Sequence, residues 1–414
     1  MNKSKLILTV LLALAAVMLL AACGSHNPDS TGSTEGPGTT SSAAPADTSA
    51  AAPTQLSSIR IGDRDLSEYT IVYAQSEYSK YLKISQYRKL FPVYDFDRET
   101  AERLSDLIYT VSGIRLPVAE DKSTEAGECE ILVGNTNRTD VMSALDLYAL
   151  KSDDYAIAVH EGKMAVCGGE YGTTWHAVDY LETLFSETLA AGKTELAFDA
   201  EYSYSSTYHL TRIGCIGDSI TEGVGSTNSA IFSYPAQLGR YLWKDALVIN
   251  FGNSGKTMRN DLADSYIRTS TYSDALRQAA NIDIFTVMLG TNDSNRDRDW
   301  TEADSKLYND SCRSIFSALK KKNADLRFVL ANCPAYFGSD GFGSATVRNL
   351  QEALVKTLND EGFPTAFYDM YATTKGMRSL FPDSLHPNDE GHMKMAEAFA
   401  GALGELIDRD TSNK

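Results

Sequence analysis

The chain of 414 residues has few basic side chains for its size. It contains 38 Lys and Arg against 55 Asp and Glu, so its formal net charge at pH 7 is −17. Proteins that bind nucleic acid need clustered basic residues to neutralise phosphates. The longest basic run, residues 320–322, lies near the end of a predicted helix, where cations complement the helix dipole. We therefore expect no nucleic-acid partner.

Cysteine is also scarce, and its spacing is typical of neither a disulfide framework nor a zinc site. The sequence has six cysteines, no Cys-x-x-Cys pair and no Cys/His spacing of the zinc type. Five cysteines other than Cys23 lie in or beside apolar segments: Cys129, Cys167, Cys215, Cys312 and Cys333. This placement favours buried free thiols, and a disulfide between two of them is the alternative. We expect no metal and no cofactor.

One long apolar run stands out, at residues 6–22. Lys3 and Lys5 precede it, and it is short for a membrane span, so it is typical of an export signal. Its end, Leu20-Ala21-Ala22-Cys23, resembles the bacterial lipobox. The resemblance implies cleavage before Cys23 and a diacylglycerol on its thiol, and therefore an extracytoplasmic protein of the bacterial envelope, anchored to the membrane by lipid. A plain secretory signal is the alternative.

The remaining chain divides into three parts by composition and pattern. Residues 24–55 are rich in Ser, Thr, Ala, Gly and Pro, which predicts a flexible tether. Residues 56–205 mix short strand patterns with helical ones, as in a small α+β domain. We predict strands at 114–118 and 130–133, and a hairpin within 155–166. Residues 206–414 form the last part.

No catalytic constellation is evident in residues 56–205. His160 and His176 have no partners at an interpretable spacing, so a structural role is favoured. A tyrosine-dense stretch is compatible with sugar stacking or with a half-buried sheet surface: Tyr69, Tyr73, Tyr78, Tyr81, Tyr87 and Tyr94. The turn at residues 112–118 and the strand end at residues 131–136 resemble the non-catalytic amino-terminal domain of some hexosaminidases and α-glucuronidases. That resemblance implies a carbohydrate setting.

Strands and helices alternate in residues 206–414. Apolar strand patterns cover 212–217, 246–251, 282–289, 327–331 and 365–368, and helical patterns between and after them cover 234–242, 308–321, 344–360 and 389–407. Near-continuous apolar strands separated by helices indicate a doubly wound parallel sheet.

Polar residues follow several of these strands. Gly217-Asp218-Ser219 ends the first strand, a glycine-rich loop with Gly255 follows the second, and Asn292 follows the third. Asp383 and His386 follow the last strand. The carboxyl ends of parallel strands lie at one edge of a sheet, so these residues can meet there.

This set contains what ester hydrolysis requires. Ser219 can be the nucleophile, His386 the base, and Asp383, three residues earlier, the carboxylate that orients the base. The backbone N–H groups of Ser219 and Gly255, with the Asn292 amide, can form an oxyanion hole.

The four blocks resemble those of the SGNH hydrolases, also called the GDSL family, and they occur in the family's order over nearly all of residues 209–408. The resemblance implies a flavodoxin-like α/β/α sandwich and metal-free hydrolysis of carboxylic esters through an acyl-enzyme. The family's nucleophile, oxyanion donors, base and acid fall on Ser219, Gly255, Asn292, His386 and Asp383. Ile220 stands where the lipase-like branch has leucine, so the motif looks more like that of sugar deacetylases and small-acyl esterases.

Other polar residues near these motifs are expected to support the site. Asp218 and Asp293 are expected to brace their loops, and His392 to be a surface or packing residue. Lys256 and Arg259 are either substrate contacts or ordinary loop charges.

The sequence thus predicts an esterase that removes small acyl groups, acetyl above all, from a carbohydrate or another small ester. The same sequence features fit two alternatives: a lysophospholipase or thioesterase that acts on lipids, and a carbohydrate-binding lipoprotein whose hydrolase site is idle. A metal-dependent phosphodiesterase that uses Asp218, Asp383 and His386 is weaker, because no further ligand cluster is evident.

Overall fold

The computed structural model describes residues 53–76, 95–294, 300–339 and 345–411. The predicted signal with Cys23, most of the tether, and Tyr78, Tyr81, Tyr87 and Tyr94 lie outside the described residues. The described residues belong to one compact unit. Within the described chain, no helix is long and apolar enough to cross a bilayer.

The described part of the amino-terminal half contains two sheets and the helices that cover them. Its strands are β1 (Ser58–Ile61), β2 (Arg64–Asp65), β3 (Thr70–Tyr73), β4 (Val118–Glu120), β5 (Glu130–Val133), β6 (Asp154–His160), β7 (Lys163–Gly168), β8 (Glu195–Phe198) and β9 (Ser203–Thr207), and its helices are α1 (Phe96–Ser112), α2 (Thr139–Ala144) and α3 (Tyr171–Ala190). The larger sheet has the order β4-β3-β5-β7-β6-β9, and the smaller one β2-β1-β8. The predicted β6–β7 hairpin and the strand at 130–133 are confirmed.

The predicted strand at 114–118 is wrong in its first four residues, since β4 begins at Val118. Pro117 has no N–H to donate to a ladder, so regular pairing starts after it. Its carbonyl still accepts a hydrogen bond from the Ile71 N–H at 2.9 Å. Helix α1 ends at Ser112 and is capped by Gly113, whose left-handed φ of 76° a residue with a side chain rarely adopts.

The carboxyl-terminal half is built on one parallel sheet. Its strands are β10 (Thr211–Gly217), β11 (Ala246–Gly252), β12 (Ile284–Met288), β13 (Arg327–Ala331) and β14 (Thr365–Tyr368). The spatial order is β11-β10-β12-β13-β14, and each neighbouring pair is parallel. In sequence order this is 2-1-3-4-5, the flavodoxin-like winding that was predicted.

Helices cover both faces of this sheet. They are α4 (Ser219–Glu222), α5 (Ser229–Phe232), α6 (Tyr234–Tyr241), α7 (Ser270–Gln278), α8 (Glu302–Lys320), α9 (Ala345–Asp360), α10 (Met370–Thr374) and α11 (Asp389–Thr411). Helix α8 begins six residues before the predicted start, because Thr301 and Asp304 form a capping box there.

Side chains that alternate along the strands form two separate cores. On β12, Phe285 and Val287 pack with α7, α8 and α9, whereas Ile284 and Met288 pack with α6, α10 and α11. The carboxyl-terminal half is therefore a three-layer α/β/α sandwich. Another core fills the amino-terminal half. The boundary at residues 205/206 and the resemblance of residues 56–205 stay predictions.

The two halves are joined by polar and aromatic contacts around Lys244. Its Nζ lies 2.6 Å from a Glu99 carboxylate oxygen and 3.7 Å from the centre of the Trp175 ring. The Lys244 carbonyl lies 3.0 Å from His176 Nε2. The prediction that His176 lacks partners at an interpretable spacing is therefore wrong. Its ring contacts Asp179, three residues away, and a residue from across the fold.

Candidate active site

Ser219 lies directly after β10, at the point where the winding of the sheet reverses between β10 and β12. Ligands of such sheets bind outside the strand ends at this position. Asp218 caps α4 by accepting a hydrogen bond from the Ile220 N–H at 3.1 Å. The serine is mostly buried, and the cap fixes the backbone at the start of its helical turn.

The segment that carries His386 is arranged by the Asp383 carboxylate. Asp383 Oδ1 accepts hydrogen bonds from the Leu385 N–H at 2.9 Å and the His386 N–H at 2.7 Å. Ser384 between them has a left-handed φ of 74°. The turn leaves Asp383 Oδ2 at 2.6 Å from His386 Nδ1. A single carboxylate thus holds both the backbone and the ring of His386.

The three predicted side chains form one hydrogen-bonded chain. His386 Nε2 lies 2.9 Å from Ser219 Oγ, although the residues are 167 positions apart in sequence. An acceptor on Nδ1 favours the tautomer with its proton on Nδ1, which leaves Nε2 to accept the serine proton. Burial alone would raise the pKa of Asp383, but hydrogen bonds from the His386 backbone and ring lower it below its ordinary value. The carboxylate is therefore ionised at neutral pH.

The glycine-rich loop after β11 is held against the serine turn. The Asn253 N–H donates to the Gly217 carbonyl at 3.0 Å, and the Ser254 N–H donates to Glu222 Oε2 at 2.6 Å. Gly255 follows with a left-handed φ of 73°. Neither its N–H nor that of Ser219 has an acceptor among the residues that the structure describes. Both groups are therefore free to donate to a ligand oxygen.

Asn292, which follows β12, contacts the same loop. Its Nδ2 donates one hydrogen bond to the Lys256 carbonyl at 3.0 Å. A side-chain amide nitrogen carries two N–H groups, so the second can donate to a substrate oxygen. The structure therefore brings Asn292 to the Gly255 loop, as the sequence predicted, and Ser219, His386 and Asp383 to one another.

Two buried aspartates have the bracing geometry expected of them. Asp293 accepts hydrogen bonds from the Met258 and Arg259 N–H groups at 2.8 and 2.9 Å, which fixes the end of the Gly255 loop. Burial raises the pKa of Asp293 to about 7 and that of Asp218 to about 6.

Of the two roles left open for Arg259, the structure favours the structural one. Its guanidinium is buried and forms ion pairs with Asp261 and Asp304. Lys256 is only half-buried, so its side chain is not enclosed in the same way.

Two supporting residues were not identified from the sequence. Glu222 holds the Ser254 N–H, as described above, and Asp389, in the first turn of α11, accepts two hydrogen bonds from Thr227 at 2.8 Å each. The spacing Ser219-x-x-Glu222 was a usable signal, because residues three apart on a helix are neighbours. No local signal links Thr227 to Asp389.

His392 is a packing residue, in agreement with the sequence analysis. It is fully buried, its Nδ1 accepts a hydrogen bond from the Tyr234 N–H at 3.2 Å, and its Nε2 lies 3.3 Å from the Val224 carbonyl. Burial lowers its pKa to about 4, so it is neutral at pH 7.

The described part of the chain contains five cysteines, all of them free thiols. Cys167, Cys215, Cys312 and Cys333 are buried free thiols, and Cys129 is a half-buried one. Among described residues, no group of three or more His, Cys, Asp or Glu side chains is arranged to hold a metal ion. Asp218, Asp383 and His386 do not form such a group.

Part of the chain matches a known protein family. Residues 215–394 match the model of the GDSL-like lipase/acylhydrolase family. An acetylxylan esterase of Xylanibacter ruminicola is 28% identical over 212 residues, which cover 46% of this chain and 43% of that enzyme. The chain thus spans less than half the length of this relative.

Solved structures with similar regions include two esterases. The carbohydrate acetylesterase Est24 of Sinorhizobium meliloti is 17% identical with a TM-score of 0.38, and the similarity covers 47% of this chain and 99% of that one. The aryl esterase of M. smegmatis is 19% identical with a TM-score of 0.37, over 48% of this chain and 100% of that one. Likeness at this level says nothing about the substrate of this chain.

The family match covers the strand ends that carry Ser219, Gly255, Asn292, Asp383 and His386. The carboxyl-terminal half of the chain therefore contains a GDSL-type, or SGNH, acylhydrolase domain.

Proposed function

We propose that this chain is a serine esterase that removes acetyl groups from a carbohydrate. The observation that carries the proposal is the hydrogen-bonded chain from Asp383 through His386 to Ser219, with distances of 2.6 and 2.9 Å. The three side chains are already within the reach that nucleophile activation requires. The family match to acylhydrolases supports ester hydrolysis as the reaction.

In the proposed acylation step, Ser219 Oγ attacks the ester carbonyl carbon while His386 Nε2 takes the serine proton. The carbonyl oxygen becomes an oxyanion, which accepts hydrogen bonds from the Ser219 and Gly255 N–H groups and from Asn292 Nδ2. The tetrahedral species collapses, the bond to the sugar oxygen breaks, and the proton on Nε2 passes to that oxygen. The products of this step are the free sugar hydroxyl and acetyl-Ser219.

Water then completes the cycle. His386 Nε2 takes a proton from a water molecule, whose oxygen attacks the acetyl carbonyl, and the proton returns to Ser219 Oγ as acetate leaves. Asp383 stays ionised throughout. Its carboxylate holds the His386 ring by Nδ1 and stabilises the imidazolium in both steps.

Two observations support a carbohydrate ester as the substrate. The matched relative is named an acetylxylan esterase, and Ile220 gives the Ser219 motif the form seen in small-acyl esterases.

The test is hydrolysis of p-nitrophenyl esters from acetyl to decanoyl and of acetylated xylan by the full chain. We expect acetate to be the preferred acyl group, and the Ser219→Ala variant to lose about a thousandfold or more in kcat. Ser273→Ala, which makes the same change on the exposed surface of α7, is the matched control and should keep full activity.

Four outcomes would contradict the proposal. Full esterase activity in Ser219→Ala would exclude the proposed nucleophile. A preference for decanoate would favour the lipid esterase, and no turnover of any ester by the intact protein would favour the idle binding lipoprotein. Loss of activity on chelation would point to metal-dependent hydrolysis instead.

We further propose that the protein is anchored by lipid on Cys23, outside the cytoplasm of a bacterium. The support is the Leu20-Ala21-Ala22-Cys23 sequence after an apolar run. Cells fed an alkyne fatty acid should label the wild-type protein and the Cys129→Ser control but not Cys23→Ser. Equal labelling of all three would contradict this assignment.

A further inference from the structure

A cavity of about 560 Å³ lies where the two halves of the described chain meet. This volume is within the range of small-molecule binding sites. Both halves line it: Phe96, Tyr171 and Gly172 come from the amino-terminal half, and Ser229, Trp243 and Val248 from the carboxyl-terminal half. The reaction described above uses none of these residues.

One end of the cavity reaches the loops of the candidate active site. Glu222 and Gly252 are part of its lining. Glu222 is three residues after Ser219 in α4, so the two side chains are neighbours on one helical turn. Gly252 pairs in register with Gly217 at the end of β10, and Glu222 also binds the N–H of Ser254, next to Gly255. A molecule in the cavity would therefore lie beside the groups that meet the ester.

The wall from the amino-terminal half is held in place by close contacts. A Cβ on Gly172 would lie 2.6 Å from the Trp243 carbonyl oxygen and 2.8 Å from that of Lys244, so only glycine permits this approach of α3. The Lys244–Glu99 ion pair and the contact between His176 and the Lys244 carbonyl join the same segments. These contacts hold the amino-terminal half against residues 243–244 at the cavity wall.

The chemistry of the lining fits a sugar chain. The half-buried Tyr171 ring packs on the buried Phe96 ring at 4.9 Å, and Phe96 lies 4.8 Å from the buried Trp243 ring, so Tyr171 supplies a supported aromatic surface for the C–H face of a sugar ring. Ser229, Glu170 and Glu222 supply hydroxyl and carboxylate groups for sugar hydroxyls. The charged lining residues are two carboxylates, Glu170 and Glu222, and one guanidinium, that of Arg240, so the net charge of the lining is negative and a neutral chain fits better than a uronate-rich one.

We propose that this cavity binds a neutral oligosaccharide segment next to the acetylated sugar, so that the amino-terminal half forms part of the substrate site. The inference rests on the proposed function and makes it more specific. The esterase would then act on a polymer or long oligosaccharide in preference to a free acetylated monosaccharide.

Binding tests the inference separately from catalysis. Calorimetric titration of the full-length Ser219→Ala protein with xylohexaose and with mannohexaose should detect binding of at least one of them. Adding Ala230→Trp, which places an indole in the cavity, should weaken that binding by about tenfold or more. Ala200→Trp, at an exposed alanine that does not line the cavity, should leave it unchanged.

Kinetics on the active enzyme provide the second readout. Tyr171→Ala should raise KM for acetylated xylo-oligosaccharides several-fold and leave kcat/KM for p-nitrophenyl acetate unchanged. Tyr171→Phe keeps the ring and should behave as wild type for both substrates.

The results separate the two proposals. Binding of neither hexasaccharide, or binding that survives Ala230→Trp, would overturn the cavity assignment while esterase activity remains. Esterase activity that persists in Ser219→Ala would overturn the proposed function instead, whatever the titrations give. Two results together would support the assignment. Ala230→Trp should weaken oligosaccharide binding when it is added to Ser219→Ala, and Ala230→Trp alone should keep its turnover of p-nitrophenyl acetate.

Discussion

His176 in the amino-terminal half and His386 in the carboxyl-terminal half each bind an aspartate three residues away. His176 Nδ1 lies 2.5 Å from Asp179, and His386 Nδ1 lies 2.6 Å from Asp383. The opposite ring nitrogens differ. His176 Nε2 meets the Lys244 carbonyl at 3.0 Å and its ring stacks on Tyr208, whereas His386 Nε2 meets the Ser219 hydroxyl at 2.9 Å.

The comparison shows that a His–Asp pair does not by itself identify a catalytic histidine. A carbonyl oxygen can only accept a hydrogen bond, so it makes His176 a donor that joins two segments. A hydroxyl can give up its proton, so the same kind of pair becomes a candidate base at His386. The hydrogen-bond partner of Nε2 decides between the two roles. In both histidines that partner is remote in sequence.

Replacement of each histidine by asparagine tests this contrast, and its effect is the largest that we expect. His386→Asn should lower kcat/KM for p-nitrophenyl acetate by about ten thousandfold, because no base remains for the serine proton. His176→Asn should lower Tm but leave kcat/KM nearly unchanged below the unfolding transition. Comparable losses of activity in both variants would remove the distinction.

The amino-terminal half uses buried charge for its own stability. Glu130 lies between Arg138 at 2.7 Å and Lys163 at 3.0 Å, and the Glu130 and Arg138 side chains are almost completely buried. Glu130→Gln should lower the free energy of unfolding by about 3–5 kcal/mol, because Arg138 keeps a buried charge without a counterion. Denaturant unfolding measures this change.

A surface pair is the control for that experiment. Glu102 pairs with Arg98 at 2.8 Å on the exposed face of α1. Glu102→Gln should cost at most about 0.5 kcal/mol, because water replaces the lost interaction. Similar losses for both variants would mean that burial of the Glu130 cluster does not determine its contribution.

His392 predicts a pH dependence of stability in the carboxyl-terminal half. Its folded pKa of about 4 is below the ordinary value, so between pH 6.5 and 4 the unfolded chain binds a proton that the folded chain does not. Stability must therefore fall as the pH falls through this window, and His392 contributes up to about 3 kcal/mol of that loss. Urea unfolding at several pH values should show a smaller fall in His392→Gln. Equal pH dependence in both proteins would contradict the assignment.

The smallest effect concerns the contacts that join the halves. Lys244→Ala removes the Glu99 ion pair and the cation–π contact with Trp175, and should cost about 1–2 kcal/mol. Lys394→Ala, which loses only an exposed pair with Glu397, should cost less. If both variants unfold at the same temperature, the junction contributes no more than an ordinary surface contact.

The parallel sheet and the residues at its carboxyl edge were predictable. Runs such as Ile213 to Ile216 are apolar because both faces of a parallel strand are buried, and polar residues begin where each strand ends. Local chemistry also predicted the Asp383–His386 pair, since a carboxylate can reach an imidazole within one turn. The start of β4 and the Thr301 capping box were missed, because each depends on a single proline or side-chain oxygen.

By itself, the sequence determined the order of strands and helices in the carboxyl-terminal half and the identity of the side chains at its strand ends. Only the tertiary structure decided that Arg259 is buried between Asp261 and Asp304, that His176 binds Lys244, and that both halves line one cavity. Periodic burial is a local property and can be read along the chain. The partners of a charged or hydrogen-bonding group are chosen by packing between distant segments, which local sequence does not encode.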